Sequence, residues 1–519
     1  MFRRIWLMKG DAEMTIPERQ CDILIVGAGN AALSAAHAAV ERGADVVVLE
    51  KAPRNDRGGN SMLTQGMRFA YDNPDELLAL MKSEDATPEV RSFLDERVPQ
   101  RSQTALWDEV MAVTGGMSDK EMLRIHVERS YETARWLHSK GHNWIPSYGK
   151  NVTGASGTTG NLIKMEGGGY GLQERNFTYL EKLPNVTFLY GTSATELLQD
   201  SDGSVAGVIA LSGNGFEKIM ANAVILASGG FGANAEMRAR YLGPGWDTAR
   251  NRGVPYNTGD GLRIALDIGA MPYGSWTTCH ASPVDWDMPD NSYPSAWSAG
   301  HEDSWTRYVY PFAIMVNARG ERFVDEADNV RGLTYAKMGR AILTQPAGQA
   351  FQIIDANVRN GGLVSDCYEG ATGEKADTLE ELAQKLGIDT DGLRRTVREF
   401  NDAVPQDREA APSPFKVDGV GTVNLIPPKS NFAMRIDKPP FEGYAVRCGI
   451  TFTYGGLRID PQTAQVQHVA GQPITGLYAA GEIVGGLWHR NYPSGGGMMA
   501  GSTFGRIAGY SAARRTSNP

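Results

Sequence analysis

The sequence predicts an α/β fold built in more than one domain. Three observations point there. An apolar run ending in glycine, an alanine-rich helical pattern and a second apolar run follow one another over residues 21–51. Glycine is 61 of 519 residues, about 12% against a usual ~7%, and it collects at the ends of apolar runs, as turns pressed against a ligand require. The length also exceeds what a single hydrophobic core supports.

Composition removes several function classes. Hydrophobic residues are 41% and charged residues 21%, an ordinary globular balance. The net charge of −9 and the lack of any basic stripe argue against a nucleic-acid partner. Cys21, Cys279, Cys367 and Cys448 lie far apart, so zinc, c-type haem and iron–sulfur ligand patterns are absent and no metal is expected. Free thiols fit a reducing, cytoplasmic setting. The opening "MFRRIWLMKG" has an apolar stretch too short for a secretory signal, and residues 1–19 read as an N-terminal extension. No run of about 18 apolar residues occurs, so no membrane span is expected.

"DILIVG" reads as a buried strand, "NAALSAAHAAVERG" as a helix closed at Gly43, and "DVVVLE" as a second strand. The βαβ unit carries G-x-G-x-x-A at Gly27, Gly29 and Ala32, with Asn30 opening the helix. Gly29 lets a pyrophosphate reach the helix N-terminus, and Ala32 lets helix and strand pack closely. Glu50, 23 residues after Gly27 and followed by Lys51, stands where an acid accepts hydrogen bonds from ribose hydroxyls and opposes a 2′-phosphate.

The next segments separate FAD from NAD. A plain NAD fold would continue with a crossover helix. This chain has instead "RNDRGGNSMLTQG", with Gly59, Asn60, Ser61 and Gly66, which suits a longer cofactor. Residues 185–232, including Ala194, read as several short strands and then an apolar strand ending at Gly229–Gly230. "NTGDGL" brings Asp260, and "ITGLYAAGEIVGG" ends another apolar run in Glu482. Three strand ends are therefore expected to converge on one ligand. "NYPSGGG" then leads into a final helical run from Met498. Between these blocks, residues 276–312 read as an irregular, aromatic pocket lining, and 377–404 as a helix pair capped by Thr378 and Asp389.

Together these blocks, with "IMVNARGERFVDE", resemble the fumarate reductase and succinate dehydrogenase flavoprotein superfamily over about residues 20–515. "RFVDEADNVRGLTYAKMGRAIL" and "NYPSGGG…FGRIAG" are most similar to the tricarballylate dehydrogenase type. The resemblance implies a Rossmann-like FAD-binding domain in two parts, residues 20–272 and 451–519, with an α+β capping domain inserted at 273–450. Respiratory members bond FAD through a histidine where this chain has Asn60, so FAD is expected to be non-covalent. Gly497 and Met498 match the helix N-terminus that faces flavin N1 and O2, where it stabilises the negative charge of reduced flavin.

Catalytic residues carry over one at a time. His280 in "TTCHASP" matches the first substrate-gripping histidine, and Arg331 the proton-transferring arginine. An arginine base needs carboxylates nearby to ease its deprotonation, and Glu326 and Asp328 are close in sequence. The second histidine position reads Phe452, and the carboxylate-gripping arginine position reads Tyr492. The loop around Tyr492 is also similar to that of 3-ketosteroid dehydrogenases, where a tyrosine bonds a ketone. His489, Arg490, Arg68 and Arg307 are candidates to restore the missing charge, and Tyr335 to relay a proton. Structural readings stand beside these: a satisfied core histidine at His280, an ion pair of Arg331 with Glu326 or Asp328, and packing of Tyr492 under the flavin.

The resemblance implies hydride transfer between flavin N5 and a CH–CH or C=C bond of a small oxygenated, carboxylated substrate. The alternatives are a ketone-bearing ring substrate, or an electron-relay subunit of a membrane-associated complex. With no cluster or haem ligands in the chain, electrons would be exchanged with a partner protein, a quinone or another acceptor.

Overall fold

The computed structural model describes residues 16–517 apart from 65, 148–162, 291–304, 365, 369, 407–411 and 414–415. The elements used below begin with β1 (Glu18–Val26), α1 (Asn30–Val40), β2 (Val46–Glu50) and the long helix α2 (Lys120–Ser139). β3 (Val186–Tyr190), β4 (Ser193–Gln199), β5 (Val205–Ser212) and β6 (Gly215–Leu226) follow. Next come β7 (Arg250–Asn251), β8 (Pro272–Asp285), β9 (Ile314–Val316), α3 (Tyr335–Leu343), β10 (Gln349–Ile354) and β11 (Gly373–Ala376). α4 (Leu379–Leu386), α5 (Thr390–Ala403), β12 (Phe441–Leu457), β13 (Gln465–Gln467), β14 (Pro473–Ala479) and α6 (Gly496–Ser517) complete the set.

Two sheets organise the chain. The first has the order β13–β14–β6–β1–β2–β3, with β5 added to β6 and β4 to β5. Its central pairs are parallel, Ile25 lying between Val48 and Ile225, and Leu477 beside Val224. β1 and β2 are apolar on both faces because helices or other strands cover both sides. The ends of β1, β6 and β14 are therefore neighbours, as the three glycine-ended runs predict. Glu18 and Arg19 already pair with Lys218 and Ile219 in β1, so the N-terminal extension ends earlier than residue 19. Residues 1–15 lie outside the described residues.

The second sheet has the order β8–β12–β10–β9, with β7 and β11 also on β12. α4 and α5 pack on it, capped by Thr378 accepting from the Glu381 amide and Asp389 accepting from the Gly392 amide. The expectation of an irregular stretch over 276–312 is corrected over its first ten residues. Trp276–Asp285 belongs to β8, which bends by two register shifts around Cys279 and His280. Alternation of apolar and small residues gave little period-2 signal there, because β8 is buried along most of its length. Residues 291–304 lie outside the described residues.

A buried histidine pair stabilises the α1 side of the first sheet. His37 and His142 both donate from Nε2 to Asn176 Oδ1, at 3.0 and 2.8 Å. Burial pulls both down to about 4. A depressed histidine contributes stability that is complete above its unfolded value near 6.5 and is lost as pH falls toward 4. The loss is expected to reach roughly 3 kcal/mol per histidine. Glu50 and Glu482, lifted by burial to about 7, pull the other way, so the readout is a difference. Chemical unfolding between pH 7 and 4.5 should show a shallower acid loss for His142→Gln than for the parent; identical slopes would refute the assignment.

Candidate active site

Local chemistry shapes the βα turn first. Gly27 has φ +105°, and a Cβ there would lie 2.4 Å from the Ala227 carbonyl oxygen, so the ends of β1 and β6 require glycine. Gly29 differs: its φ is −78°, and a Cβ would meet nothing closer than Ser61 Oγ at 3.4 Å. The open space beside it lies in the cavity at the N-terminus of α1, a helix with no side-chain cap. Unpaired amides at such a terminus favour a phosphate. The Asn30 amide donates to Ser61 Oγ at 3.0 Å, which ties the second glycine loop to the first.

The cavity holds about 290 Å³ and runs from Glu50 to Tyr492. Gly27, Gly29, Asn30, Glu50, Lys51, Gly59, Asn60, Ser61, Gly66, Ala194, Gly229, Asp260, Glu482, Gly497 and Met498 line it; Ala32 is buried in the helix–sheet packing behind. Glu50 accepts the Ala28 and Ala52 amides at 3.0 and 2.8 Å. A carboxylate has room for further donors, as ribose hydroxyls would supply. Lys51 bonds Thr258 and Asp260. Asn60 is held at both ends of its amide, by the Val254 N–H and the Thr451 carbonyl. Ser228 Oγ and Asn257 Oδ1 line the cavity buried and without a partner among the described residues, so the walls offer polar groups that a bound cofactor can satisfy.

The far end is aromatic. His280 stands opposite Phe452 in the β8–β12 register. Its ring lies 4.8 Å from Tyr335, 5.5 Å from Phe452 and 5.3 Å from Tyr492. Burial drives His280 well below its ordinary value, so it is neutral at pH 7. Its Nδ1 is buried with no partner among the described residues. Tyr492 Oη accepts the Gly497 amide at 2.9 Å, so one of the amides expected at the flavin instead supports this phenol. Arg331 is buried, with its guanidinium 4.4 Å from the Tyr308 ring centre. Desolvation lowers its pKa. Glu326 and Asp328 are occupied elsewhere, Glu326 by Arg322 at 2.6 Å and Asp328 by Lys337. Among the described residues, the phenols of Tyr308, Tyr310 and Tyr335 stand around Arg331.

Four expected substrate residues lie outside the cavity lining. Arg68 donates to Ser494 O at 2.7 Å and pairs with Glu109, bracing the Tyr492 loop from behind. Arg307 is buried and forks onto Asp285 at 2.6 and 2.9 Å. His489 is half-buried and Arg490 exposed. The lining also contains Arg252, Tyr308, Thr451, Trp488 and Ser494, which motif reading missed. Arg252 stands just ahead of "NTGDGL" and Tyr308 beside Arg307, so both were within reach of a search around those motifs.

A parallel sheet whose strand ends and glycine turns form one long polar cavity, closed by a second sheet bearing a histidine, an arginine and phenols, defines an oxidoreductase of a large nucleotide cofactor. The sequence model of the family described as FAD binding domain matches residues 22–499. The chain belongs to that family, within the fumarate reductase and succinate dehydrogenase flavoprotein superfamily, and is an FAD-dependent oxidoreductase acting on carbon–carbon bonds. It is 30% identical to the vinyl phenol reductase of Lactiplantibacillus plantarum over 95% of this chain and 97% of that protein. The open conformation of a flavocytochrome c3 fumarate reductase superposes with a TM-score of 0.70 at 26% identity, covering 96% of this chain and 79% of the other. A 3-ketosteroid Δ1-dehydrogenase from Sterolibacterium denitrificans shares the fold, with a TM-score of 0.69 at 20% identity over 96% of this chain and all of that one. No helix among the described residues is long and apolar enough to cross a membrane.

The two glycines of the turn give a paired prediction. Gly29→Ala should leave the melting temperature of FAD-free protein near the parent's while weakening FAD binding at least about tenfold, through loss of charge-assisted amide contacts. Gly27→Ala should destabilise the FAD-free protein itself by roughly 1–3 kcal/mol, the cost of a strained backbone. Thermal melts and fluorescence titration with FAD separate the two, and equal behaviour of both variants would contradict the argument.

Proposed function

We propose that the protein transfers hydride between FAD and a C=C or CH–CH bond of a small oxygenated substrate that places an apolar or ring portion against Phe452 and an oxygen at Tyr492. The observation that carries this is the replacement of charge by aromatic surface around His280: Phe452 and Tyr492 lie 5.0 Å apart, with Trp488 5.1 Å beyond. A second carboxylate facing Phe452 would be buried without a partner, at a cost of several kcal/mol. A tricarballylate-like tricarboxylate fits this surface poorly for the same reason. A vinyl phenol, named for the relative above, has the ring and the single oxygen that it accommodates. We place the body in residues 18–272 and 451–519, starting with β1 two residues earlier than expected, and the cap in residues 273–450.

FAD supplies the hydride acceptor or donor. The protein's own residues do the rest. Tyr492, whose oxygen already accepts the Gly497 amide, has its own proton left to donate to a substrate oxygen. Neutral His280 offers Nδ1 to a second polar group. Arg331 moves the proton at the carbon next to the one that exchanges hydride, its acidity raised by burial. Tyr335 and Phe452 exclude water around the reacting carbons. A ketone-bearing ring substrate is the second reading, favoured by the Tyr492–Gly497 pair, which suits a carbonyl oxygen gaining negative charge. Electrons reach or leave FAD through a partner protein, a quinone or a small acceptor. None of the four cysteines forms a disulfide, which supports a cytoplasmic setting.

FAD is held without a covalent bond, because Asn60 at the attachment position has no nucleophile and is pinned by Val254 and Thr451. Acid or heat denaturation should release all the yellow colour into the supernatant, and colour left on the polypeptide would refute this. The reaction is tested by reducing the enzyme anaerobically and following flavin reoxidation. An aryl alkene or enoate should outpace fumarate, and Arg331→Gln should slow the better acceptor at least about a hundredfold, the lower range for acid–base catalysis. Fast reoxidation by fumarate, or an unimpaired variant, would reject the reading.

A further inference from the structure

Two segments that the proposed chemistry needs at a fixed distance are joined by hydrogen bonds that no motif marks. The loop before α6 carries Tyr492, and the single turn Arg331–Leu333, just ahead of α3, carries Arg331. Asn491 Nδ2 donates to the Leu333 carbonyl at 2.6 Å, and the Ser494 amide donates to the Gly332 carbonyl at 3.0 Å. The acceptors belong to the two residues directly after Arg331, and the donors flank Tyr492. Asn491 is buried, and its Oδ1 has no partner among the described residues, so among them the Leu333 bond alone orients its amide.

The loop is braced on its other sides, so it makes a firm support for the turn. Arg490, just before Asn491, has φ +58°, a left-handed conformation that a side chain makes costly. Its amide donates to Thr278 Oγ1 at 3.2 Å, on β8 and two residues before His280. From behind, Arg68 Nε donates to Ser494 O at 2.7 Å and the Arg68 amide to Gly495 O at 3.1 Å. The Gly497 amide fixes the Tyr492 oxygen at 2.9 Å. Backbone strain such as that at Arg490 persists only where surrounding contacts over-determine it, and the Thr278 and Asn491 bonds on either side are such contacts.

We infer that Asn491 is a positioning residue that sets the Arg331 turn against Tyr492, and with it the distance between the proton on Arg331 and the substrate oxygen held at Tyr492. The inference rests on the function proposed above and deepens it. Of the two bonds to the turn, the one from Ser494 comes from backbone, which any residue but proline supplies. The other needs a side-chain donor of this reach at 491. The turn has little stiffness of its own, because Gly332 follows Arg331 directly. Held from outside, it lays the Arg331 guanidinium 4.4 Å from the Tyr308 ring centre. A displacement of about 1 Å in such a group is enough to lose about a hundredfold in rate.

The test uses the FAD-loaded enzyme, reduced anaerobically and mixed with whichever of 4-vinylphenol and 4-hydroxycinnamate reoxidises the parent faster. Asn491→Leu keeps the bulk and removes the donor. It should slow reoxidation at saturating alkene at least about tenfold and leave the half-saturating concentration within about twofold, as loss of an interaction made only in the transition state does. Asn491→Gln, which keeps an amide, should recover part of the rate. If Asn491 acts through Arg331, adding Asn491→Leu to Arg331→Gln slows the enzyme no further. Losses that multiply in the double variant, or an unaltered rate in Asn491→Leu, overturn the inference and leave Arg331 as the acid. An unimpaired Arg331→Gln instead rejects the proposed function, and the inference with it. Crystal structures of parent and Asn491→Leu give a readout independent of turnover. The Arg331 guanidinium should leave the face of the Tyr308 ring in the variant, and an unmoved guanidinium overturns the inference even if neither alkene is accepted. Loss of FAD from both Asn491 variants would make the residue a structural one and overturn it as well.

Discussion

The site exists because two helices from opposite ends of the chain touch backbone to backbone. A Cβ at Gly505 would lie 2.3 Å from the Ala31 carbonyl oxygen, and one at Gly509 2.3 Å from that of Ala35. Glycine on α6 and alanine on α1 leave no side chain between the axes. Asn30, the first residue of α1, then reaches across 468 positions to donate to the Met498 carbonyl at 2.8 Å, and bonds Ser502 as well. The N-terminus of α1, where phosphate would bind, and the N-terminus of α6, beside Tyr492, are thereby fixed relative to each other. Any larger residue along this seam would push the two ends of the cavity apart, because backbone atoms cannot yield as a flexible side chain can.

A second set of glycines joins the two sheets. A Cβ at Gly485 would lie 2.1 Å from the Tyr273 carbonyl, and one at Gly456 2.2 Å from that of Ile483. Here β8 and β12 pass against the turn after β14. The glycine excess visible in the composition therefore has a mechanical meaning. Part of it shapes phosphate turns, as at Gly27, and part lets whole elements approach to backbone contact. The consequence is alignment: β8 and β12 carry His280 and Phe452 as a cross-strand pair and present them to the cavity from the second sheet.

These facts also decide what was legible in the sequence. β1, α1 and β2 were, because a buried strand, an alanine helix and a glycine turn each leave a local signature. α4 and α5 were, through their caps and periodicity. β8 was not, because its residues are buried along most of its length and its bends at Cys279 and His280 break what alternation remains. The cofactor cradle was readable because phosphate binding constrains backbone, which glycine reports. The gripping residues were harder. Arg68 and Arg307 have the right charge, and only the fold reveals that Glu109, Ser494 and Asp285 have already claimed them. Arg252 carries no signature of its own; it reaches the cavity lining because β7 lies beside β12, a pairing of segments about 200 positions apart.

Burial acts in one direction on three different bases of this protein, two of them in the cavity lining. His280 is driven neutral. Lys429, buried against the Ala313 carbonyl in the same protein, is pulled down to about 8. Arg331 is lowered too, yet it starts above 12. Burial thus strips His280 of its proton, brings Lys429, away from the cavity lining, close to titrating, and leaves arginine charged at neutral pH. Of these three bases only arginine keeps its proton reliably, and the same desolvation that threatens the charge makes that proton easier to release. The aromatic wall and the choice of Arg331 are therefore one design. In the function proposed above, Tyr308, Tyr335 and Phe452 would exclude a second carboxylate and at the same time tune Arg331 as the acid, so the features that narrow the substrate would also set the chemistry.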